Sequence, residues 1–146
     1  MPVTDLFRAQ EPAVPVRGVH LDLKGVPPTA DHLARLLEVL AGLRYNAVLV
    51  EWEDMFPWNV DVRFRCETAY TPEDVERFHA AAAALGIAVI PLVQCLGHME
   101  TPLSVPGYEH LREVPYRSDV LNPLAPGARD LVERMVVDVL ARSPGV

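Results

Sequence analysis

AVLVE, at residues 47–51, is apolar at every position except the last. A continuous apolar run of this length is typical of a parallel strand that is covered on both faces. Two similar runs lie on either side of it in the chain, RGVHLDL at residues 17–23 and IAVIPLV at residues 87–93. The sequence therefore predicts three strands. Pro91 has no backbone N–H to donate, so we expect a bulge or an unpaired position there.

Segments with helical spacing follow each of these strands. Thr29 can cap a first helix that we expect to end near Arg44, and Thr71 a second one that ends before Gly86. Pro126 is expected to open a third helix, and residues 143–145 to close it. The positions expected to face inward are Leu33, Leu36, Leu37, Leu40 and Leu43 in the first helix, Val75, Phe78, Ala82 and Leu85 in the second, and Val132, Met135, Val136, Val139 and Leu140 in the third.

The alternation of strands and helices predicts an α/β fold with a parallel sheet and right-handed crossovers. The chain has 146 residues, whereas a barrel of eight such units needs about 250, so a barrel could be only partly present. Residues 1–16, rich in proline and polar residues, are expected to form an N-terminal extension to the domain at residues 17–146.

Composition excludes several classes of function. The net charge of −7 comes without a cluster of Lys or Arg, which argues against nucleic acid as a partner. No stretch reaches the roughly 18 apolar residues of a membrane span, and the N-terminus lacks the pattern of a secretory signal. Cys66 and Cys95 are far apart and form no CxxC pair, which favours reduced thiols in a cytoplasmic protein over a disulfide.

Polar side chains collect in the loops that follow the three predicted strands, where parallel α/β folds bind their ligands. These candidates are Asp22 and Lys24 after the first strand, Glu51, Trp52, Glu53, Asp54 and Trp58 after the second, and Gln94, His98 and Glu100 after the third. Carboxylates and amides beside an aromatic wall are what a sugar site needs. The mixture therefore favours a carbohydrate site.

Other interpretations of the same residues stay open. Asp22 could pair with Lys24 or cap a loop, and the acidic cluster could be solvated loop charge. His98 alone is more often structural than catalytic, and both tryptophans could be core residues. A divalent metal is a further alternative, although the spacing is no specific metal signature. Its ligands would be His20, Asp22, Glu53, Asp54, His98 and Glu100.

Three long strings resemble the family-20 glycoside hydrolases, in particular the hexosaminidase D branch. They are VHLDLKGVPP at residues 19–28, LVEWEDMFPW at residues 49–58 and VIPLVQCLGHMETPL at residues 89–103. LREV at residues 111–114 and LNPLAPGA at residues 121–128 fit as well. The resemblance implies a TIM (β/α)₈ barrel of which this chain holds the first three βα units, truncated before strand four.

The resemblance also implies an activity: exo-acting removal of terminal N-acetylhexosamine with retention of configuration. The 2-acetamido oxygen of the substrate is then the nucleophile, and an Asp-Glu pair on strand four supplies the protein's carboxylates, with no metal or cofactor. That pair would lie beyond Val146, so we expect the chain alone to be inactive. Asp22, Glu53, Asp54 and His98 would line the sugar pocket, with Glu51, Trp52 and Glu100 as weaker candidates.

Two positions depart from the secreted members of that family. Lys24 stands near the place where those members have an arginine, and it offers a point charge instead of a bidentate fork. Gln94 replaces an acidic residue, as it does in the hexosaminidase D branch. The alternative to a hydrolase fragment is a non-catalytic half-barrel that binds sugar or a partner chain, or an inactive truncated product. Self-association, or pairing with a separate C-terminal half, is expected from uncovered strands.

Overall fold

Three parallel strands form a single sheet in the order β1, β2, β3. The computed structural model describes residues 12–143, and in it β1 spans Gly18–Asp22, β2 spans Ala47–Glu51 and β3 spans Ala88–Leu92. The parallel register sets His20 beside Leu49, and Leu49 beside Ile90. The sheet is open, with β1 and β3 as its edges within the described residues. The predicted parallel α/β fold is confirmed.

Among residues 12–143, four α-helices accompany the strands: α1 at Ala30–Gly42, α2 at Pro72–Ala84, α3 at Glu100–Ser104 and α4 at Ala128–Leu140. The Thr29 side chain accepts a hydrogen bond from the backbone N–H of His32, and Thr71 forms a capping box with Asp74. Both caps agree with the sequence. The short α3 was not predicted. Within residues 12–143, no helix has the length and apolar character to cross a membrane.

The core lies between one face of the sheet and the helices. Val48 and Val50 of β2 point into it and are fully buried. The opposite face of the sheet carries His20, Leu49 and Ile90 and is the more open one, with Ile90 47% exposed. Because successive side chains of a strand alternate between faces, β2 contributes both to the core and to the open face.

The inward-facing positions were predicted correctly in the middle of the helices and wrongly at their ends. Leu43 and Leu85 are exposed because each follows the last residue of its helix and has left the buried stripe. Leu140 is exposed as well, although it is still the last residue of α4. Asp138, on the same helix, is buried. Leu36, Val132 and Val136 are only partly buried.

Pro91 forms no bulge. It stays in the regular parallel register opposite Val50. The backbone N–H of Ala88 donates to Asn46 O at 2.9 Å, toward β2. Since N–H groups alternate in direction along a strand, the nitrogens of Val89 and Pro91 face away from β2, toward the open edge. The missing donor of Pro91 therefore costs the sheet no hydrogen bond.

Two sequence-based boundaries fall partly on residues that the structure leaves undescribed. Residues 1–11 of the predicted extension lie outside the described part of the chain, as do residues 144 and 145 of the predicted helix stop. Residues 12–16 are described and contain no helix or strand. The Arg17 guanidinium donates to the carbonyl oxygens of Val14 and Pro15, which ties this stretch to the start of β1.

Candidate functional site

The carboxylate of Glu51 joins the ends of all three strands. Its Oε2 lies 2.9 Å from Nε2 of His20 on β1, and its Oε1 accepts a 2.5 Å hydrogen bond from Nε2 of Gln94, two residues beyond β3. Glu51 is the last residue of β2, and its side chain is 8% exposed. A buried carboxylate needs such partners to remain ionised. The three side chains therefore form one polar network across the sheet.

A second ion pair lies next to this network. The ammonium Nζ of Lys24, in the loop after β1, is 3.4 Å from Oε1 of Glu53. The Glu53 side chain is 6% exposed, whereas that of Lys24 is 43% exposed. Asp22 accepts a 3.0 Å hydrogen bond from the backbone N–H of Lys24, which fixes the turn that presents the lysine. Asp22 thus caps this loop, one of the alternatives that the sequence left open.

Glu53 and His98 both have left-handed backbone conformations, with φ of 50° and 54°. This region costs a non-glycine residue free energy and concentrates at functional sites, where the surrounding structure must hold it. The Glu53 carbonyl accepts a 2.8 Å hydrogen bond from the indole N–H of Trp58, which stabilises the conformation. The backbone N–H of Met99, which follows His98, donates to Asp119 O at 3.1 Å.

The two glutamates titrate in opposite directions. Burial, reinforced by the nearby carboxyl group of Glu51, raises the pKa of Glu53 to about 7. Burial also disfavours the Glu51 carboxylate, but the hydrogen bonds from Gln94 and His20 outweigh it and lower the pKa of Glu51. Burial lowers the pKa of Lys24, and the negative charges of Glu53, Glu100 and Asp22 outweigh that effect and raise it. Near neutral pH the site thus holds an ionised Glu51 beside a Glu53 that can carry a proton.

A small recess opens between these glutamates and the loop after β3. Polar groups from Glu51, Glu53, Gln94 and His98 line one part of it. Apolar side chains form the rest: Trp58, Phe64, Leu92, Val93, Met99, Pro102 and Met135, with Thr101 between them. Its volume of roughly 20 Å³ admits about one water-sized group. A ligand larger than water would therefore place a single polar atom in the recess and lie over its mouth.

Distant side chains hold the long loop after β2. The carboxylate of Asp138 on α4 accepts hydrogen bonds from the backbone N–H groups of Asn59, at 2.5 Å, and Val60, at 3.2 Å. Asp61 accepts from Arg63 and from the hydroxyl of Tyr108, at 3.1 Å. The hydrogen bond from Arg63 lowers the pKa of Asp61 to about 2, so this link is ionised at all physiological pH values. The loop that carries Glu53 and Trp58 is thereby braced against two later segments.

The structure brings together most of the residues singled out from the sequence. Lys24, Glu51, Glu53, Gln94 and His98 converge, and Asp22 and Glu100 lie close enough to act on the charge of Lys24. Asp54 is half-buried and is not among the residues that line the recess.

Trp52 lies in the core, 1% exposed, with its ring centroid 5.4 Å from that of Phe78. Trp52 is therefore a core residue, which is one of the alternatives that the sequence left open. Its side chain is too buried to contact a sugar, the weaker role that the sequence also suggested.

Sequence reasoning missed two side chains that hold the candidate site together. His20 was considered only as a metal ligand, yet it lies on the face of the sheet shared with Asp22, as their alternate spacing on one strand could have indicated. Asp138 had no signal in the sequence, because its role depends on a contact with residues almost 80 positions away. Among residues 12–143, no three His, Cys, Asp or Glu side chains are arranged to hold a metal ion. Both cysteines are free thiols.

Comparison with known proteins identifies relatives over most of the chain. Hexosaminidase D of Homo sapiens is 40% identical over 131 residues, which are 89% of this chain and 27% of that protein. Hexosaminidase D of Bos taurus is 39% identical over 131 residues, again 89% of this chain and 38% of the relative. The chain thus spans about a quarter to two fifths of the length of these two relatives. No protein-family model matches it.

Solved structures of family-20 enzymes share the fold. The exo β-N-acetylglucosaminidase of Vibrio harveyi superposes with a TM-score of 0.75 at 19% identity, over 93% of this chain and 27% of the enzyme. At this identity the likeness concerns the fold alone. It agrees with the predicted partial TIM barrel, since an open three-stranded parallel sheet with helices matches one part of such a barrel.

Proposed function

We propose, on the premise that this chain is a family-20 β-N-acetylhexosaminidase-like segment, that its strand ends form one wall of a sugar site. The substrate would be a terminal N-acetylhexosamine residue, which the glycoside hydrolase that contains this segment would remove. One observation carries the proposal: Lys24, Glu51, Glu53, Gln94 and His98 converge at the carboxyl ends of three parallel strands. Ligands bind at this end of the strands in such sheets.

The chemistry of these side chains suits a neutral, hydroxyl-rich ligand. Glu51 and Glu53 offer oxygens to sugar hydroxyls, while the ammonium of Lys24 and the amide of Gln94 can donate to them. Asp22 and Glu100 add negative charge at the rim. Because the recess admits about one water-sized group, we expect one substituent of the sugar to enter it and the ring to lie above, beside His98.

The steps of hydrolysis are part of the same proposal. In the substrate-assisted mechanism the acetamido oxygen attacks the anomeric carbon, while an acid protonates the leaving oxygen. None of the residues described here is assigned the acid. The residues of this chain would bind and orient the sugar and exclude water from one side of it.

An NMR titration tests whether the chain binds the sugar. N-acetylglucosamine added to ¹⁵N-labelled chain should shift the amide signals of Lys24, Glu51, Gln94 and His98, with a Kd in the millimolar range typical of a weak single-sugar contact. Glucose, which lacks the acetamido group, is the matched ligand control. Shifts that are absent, or confined to other parts of the sheet, would refute the proposed site.

Matched variants locate the binding energy. Lys24→Met and His98→Ala should each weaken binding by about tenfold, the effect of losing one good polar contact. Glu113→Gln, an exposed change outside the recess, should leave the affinity unchanged. Equal effects of all three substitutions would mean that the sugar does not bind at the strand ends.

A second candidate function is binding of another protein chain. Its support is the open face of the sheet, where Ile90 is exposed on an edge strand. Such edges pair readily with a second strand, so self-association is the form of binding that we propose.

We also propose a cytoplasmic location, supported by the two free thiols.

A further inference from the structure

The imidazole of His20 is held by the protein through one of its two nitrogens. Its Nε2 lies 2.9 Å from Oε2 of Glu51, whereas its Nδ1 has no hydrogen-bond partner among residues 12–143. The His20 side chain is 48% exposed, although the carboxylate that it contacts is only 8% exposed. One ring nitrogen is therefore fixed by a buried group, and the other remains available to a ligand.

The partners of Glu51 decide which nitrogen of His20 carries the hydrogen. Gln94 donates from its Nε2 to Oε1 of Glu51 at 2.5 Å, which leaves Oε2 for His20. An ionised carboxylate can only accept hydrogen bonds, so the hydrogen between His20 and Glu51 belongs to Nε2 of the ring. A neutral imidazole has a single N–H group, and Nδ1 is then a free acceptor.

His20 lies on the face of the sheet that carries the recess. The parallel register places His20 beside Leu49, and side chains two residues apart on a strand share a face, so Glu51 projects from the same face as His20. Glu51 itself lines the recess, which admits about one water-sized group. A ligand larger than water extends beyond the recess over this face, where the His20 ring is the neighbour of Glu51.

We propose that Glu51 holds a neutral His20 in the tautomer with its hydrogen on Nε2, and that Nδ1 accepts a hydrogen bond from the bound sugar. The donor is a hydroxyl or the acetamido N–H of the sugar, and this part rests on the proposed function. His20 is then a binding residue, and Glu51 is a positioning residue that acts through it. Lys24 and Gln94 offer donors to the sugar, whereas His20 adds an uncharged acceptor whose direction is fixed by the protein.

Glu51→Gln tests this arrangement because it should reverse the hydrogen bond to His20. Gln94 still donates to the side-chain oxygen at position 51, so the new NH₂ group is turned toward the ring. Nε2 of His20 must then accept, the hydrogen moves to Nδ1, and the free acceptor is lost. Glu113→Gln makes the same chemical change at an exposed position outside the recess and is the matched control.

Nitrogen NMR of the histidine rings in the full chain, recorded at pH 8, reports the tautomer without any sugar. The His20 signals are assigned by their loss in His20→Phe or, if that variant does not fold, in His20→Gln. The native ring should show a protonated Nε2 and an unprotonated Nδ1. Glu51→Gln should interchange the two states, and Glu113→Gln should not. A native ring with its hydrogen on Nδ1, with both nitrogens protonated, or averaged between tautomers would overturn the proposal. If Glu51→Gln does not fold, the native ring decides alone.

Sugar binding tests the role of the free nitrogen. Saturation with N-acetylglucosamine should move the Nδ1 signal of native His20, because Nδ1 gains a hydrogen bond. His20→Phe and Glu51→Gln should each weaken binding about tenfold, and Glu113→Gln should leave it unchanged. An unmoved Nδ1 signal with native affinity in both variants would refute the binding role of His20 and leave the proposed function intact. A chain that binds no sugar would refute the proposed function and the sugar contact together, while the ring signals would still decide whether Glu51 sets the tautomer.

Discussion

Asp138 on α4 accepts a 2.5 Å hydrogen bond from the backbone N–H of Asn59, in the loop after β2. The Asp138 carboxylate accepts two further hydrogen bonds, from the side-chain amide of Asn59 and from the backbone N–H of Val60. Helix and loop are almost 80 residues apart in sequence. One buried carboxylate thus connects the last described helix to the loop that carries Glu53 and Trp58.

Asp138→Ala should lower the free energy of unfolding by about 2–4 kcal/mol, because it leaves backbone N–H groups without an acceptor. Asp130→Ala is the matched control, since Asp130 lies on the same helix but is exposed and pairs with Arg134. Its effect should stay within about 0.5 kcal/mol. Urea denaturation followed by circular dichroism measures both. Equal losses would contradict the bracing role of Asp138.

The raised pKa of Glu53, about 7 against 4.5 for an unburied glutamate, makes stability depend on pH. Between these values the folded chain binds more protons at Glu53 than the unfolded chain does. The contribution of Glu53 is therefore most favourable at low pH, and it declines as the pH rises from about 4.5 to 7, by roughly 1–3 kcal/mol.

Urea midpoints of the native chain and of Glu53→Gln, measured from pH 5 to pH 8, isolate this contribution. The native chain should lose stability relative to the variant as the pH rises. Glu76→Gln, an exposed change on α2, is the control and should show no such trend. A constant difference between the native chain and Glu53→Gln would show that Glu53 has an ordinary pKa.

His79, on α2, has the opposite dependence. It is buried against Trp52 and Phe78, and burial lowers its pKa below 6.5. Its neutral form belongs to the folded state, so the stability it contributes is present above about pH 6.5 and is lost as the pH falls below it.

His79→Leu should remove this acid sensitivity, whatever its effect at pH 8. His110→Leu, at an exposed position, should keep the sensitivity of the native chain. The measurement is the slope of unfolding free energy against pH between 5 and 7. An unchanged slope in His79→Leu would assign the acid sensitivity to other groups.

Ile90 lies on the open face of the sheet, in edge strand β3, and is the residue through which we expect self-association. At micromolar concentration the native chain should scatter light as a dimer or larger species, and Ile90→Lys should reduce its mass. Val137→Lys, at an exposed position on α4, is the control and should not. A native chain that is monomeric throughout would refute the proposed self-association.

The sequence predicts the elements of this fold better than their ends. Local signals suffice for the caps at Thr29 and Thr71 and for the buried strand β2, because hydrogen bonds and burial there involve nearby residues. Leu140 shows the limit, since spacing alone does not tell where a helix leaves the core.

The candidate site also has features that the sequence predicts and others that it does not. Parallel strands bring their carboxyl ends together, so the order of elements predicts that Lys24, Glu53 and His98 lie close. The raised pKa of Glu53 could not be predicted, because it depends on side-chain directions and on burial by residues far along the chain. The core placement of Trp52 depends on packing against α2.

Pro91 makes the two ends of the open β3 edge differ in the backbone N–H groups that they offer. Toward its start, the edge offers the N–H of Val89 to an incoming strand; one residue before the strand ends, it offers none. An added strand would thus be held firmly at one end and would leave a carbonyl unmatched at the other, beside Gln94. Pairing is therefore favoured at the start of β3, away from Gln94. The part of the candidate site near Gln94 then stays accessible even when another strand occupies the edge.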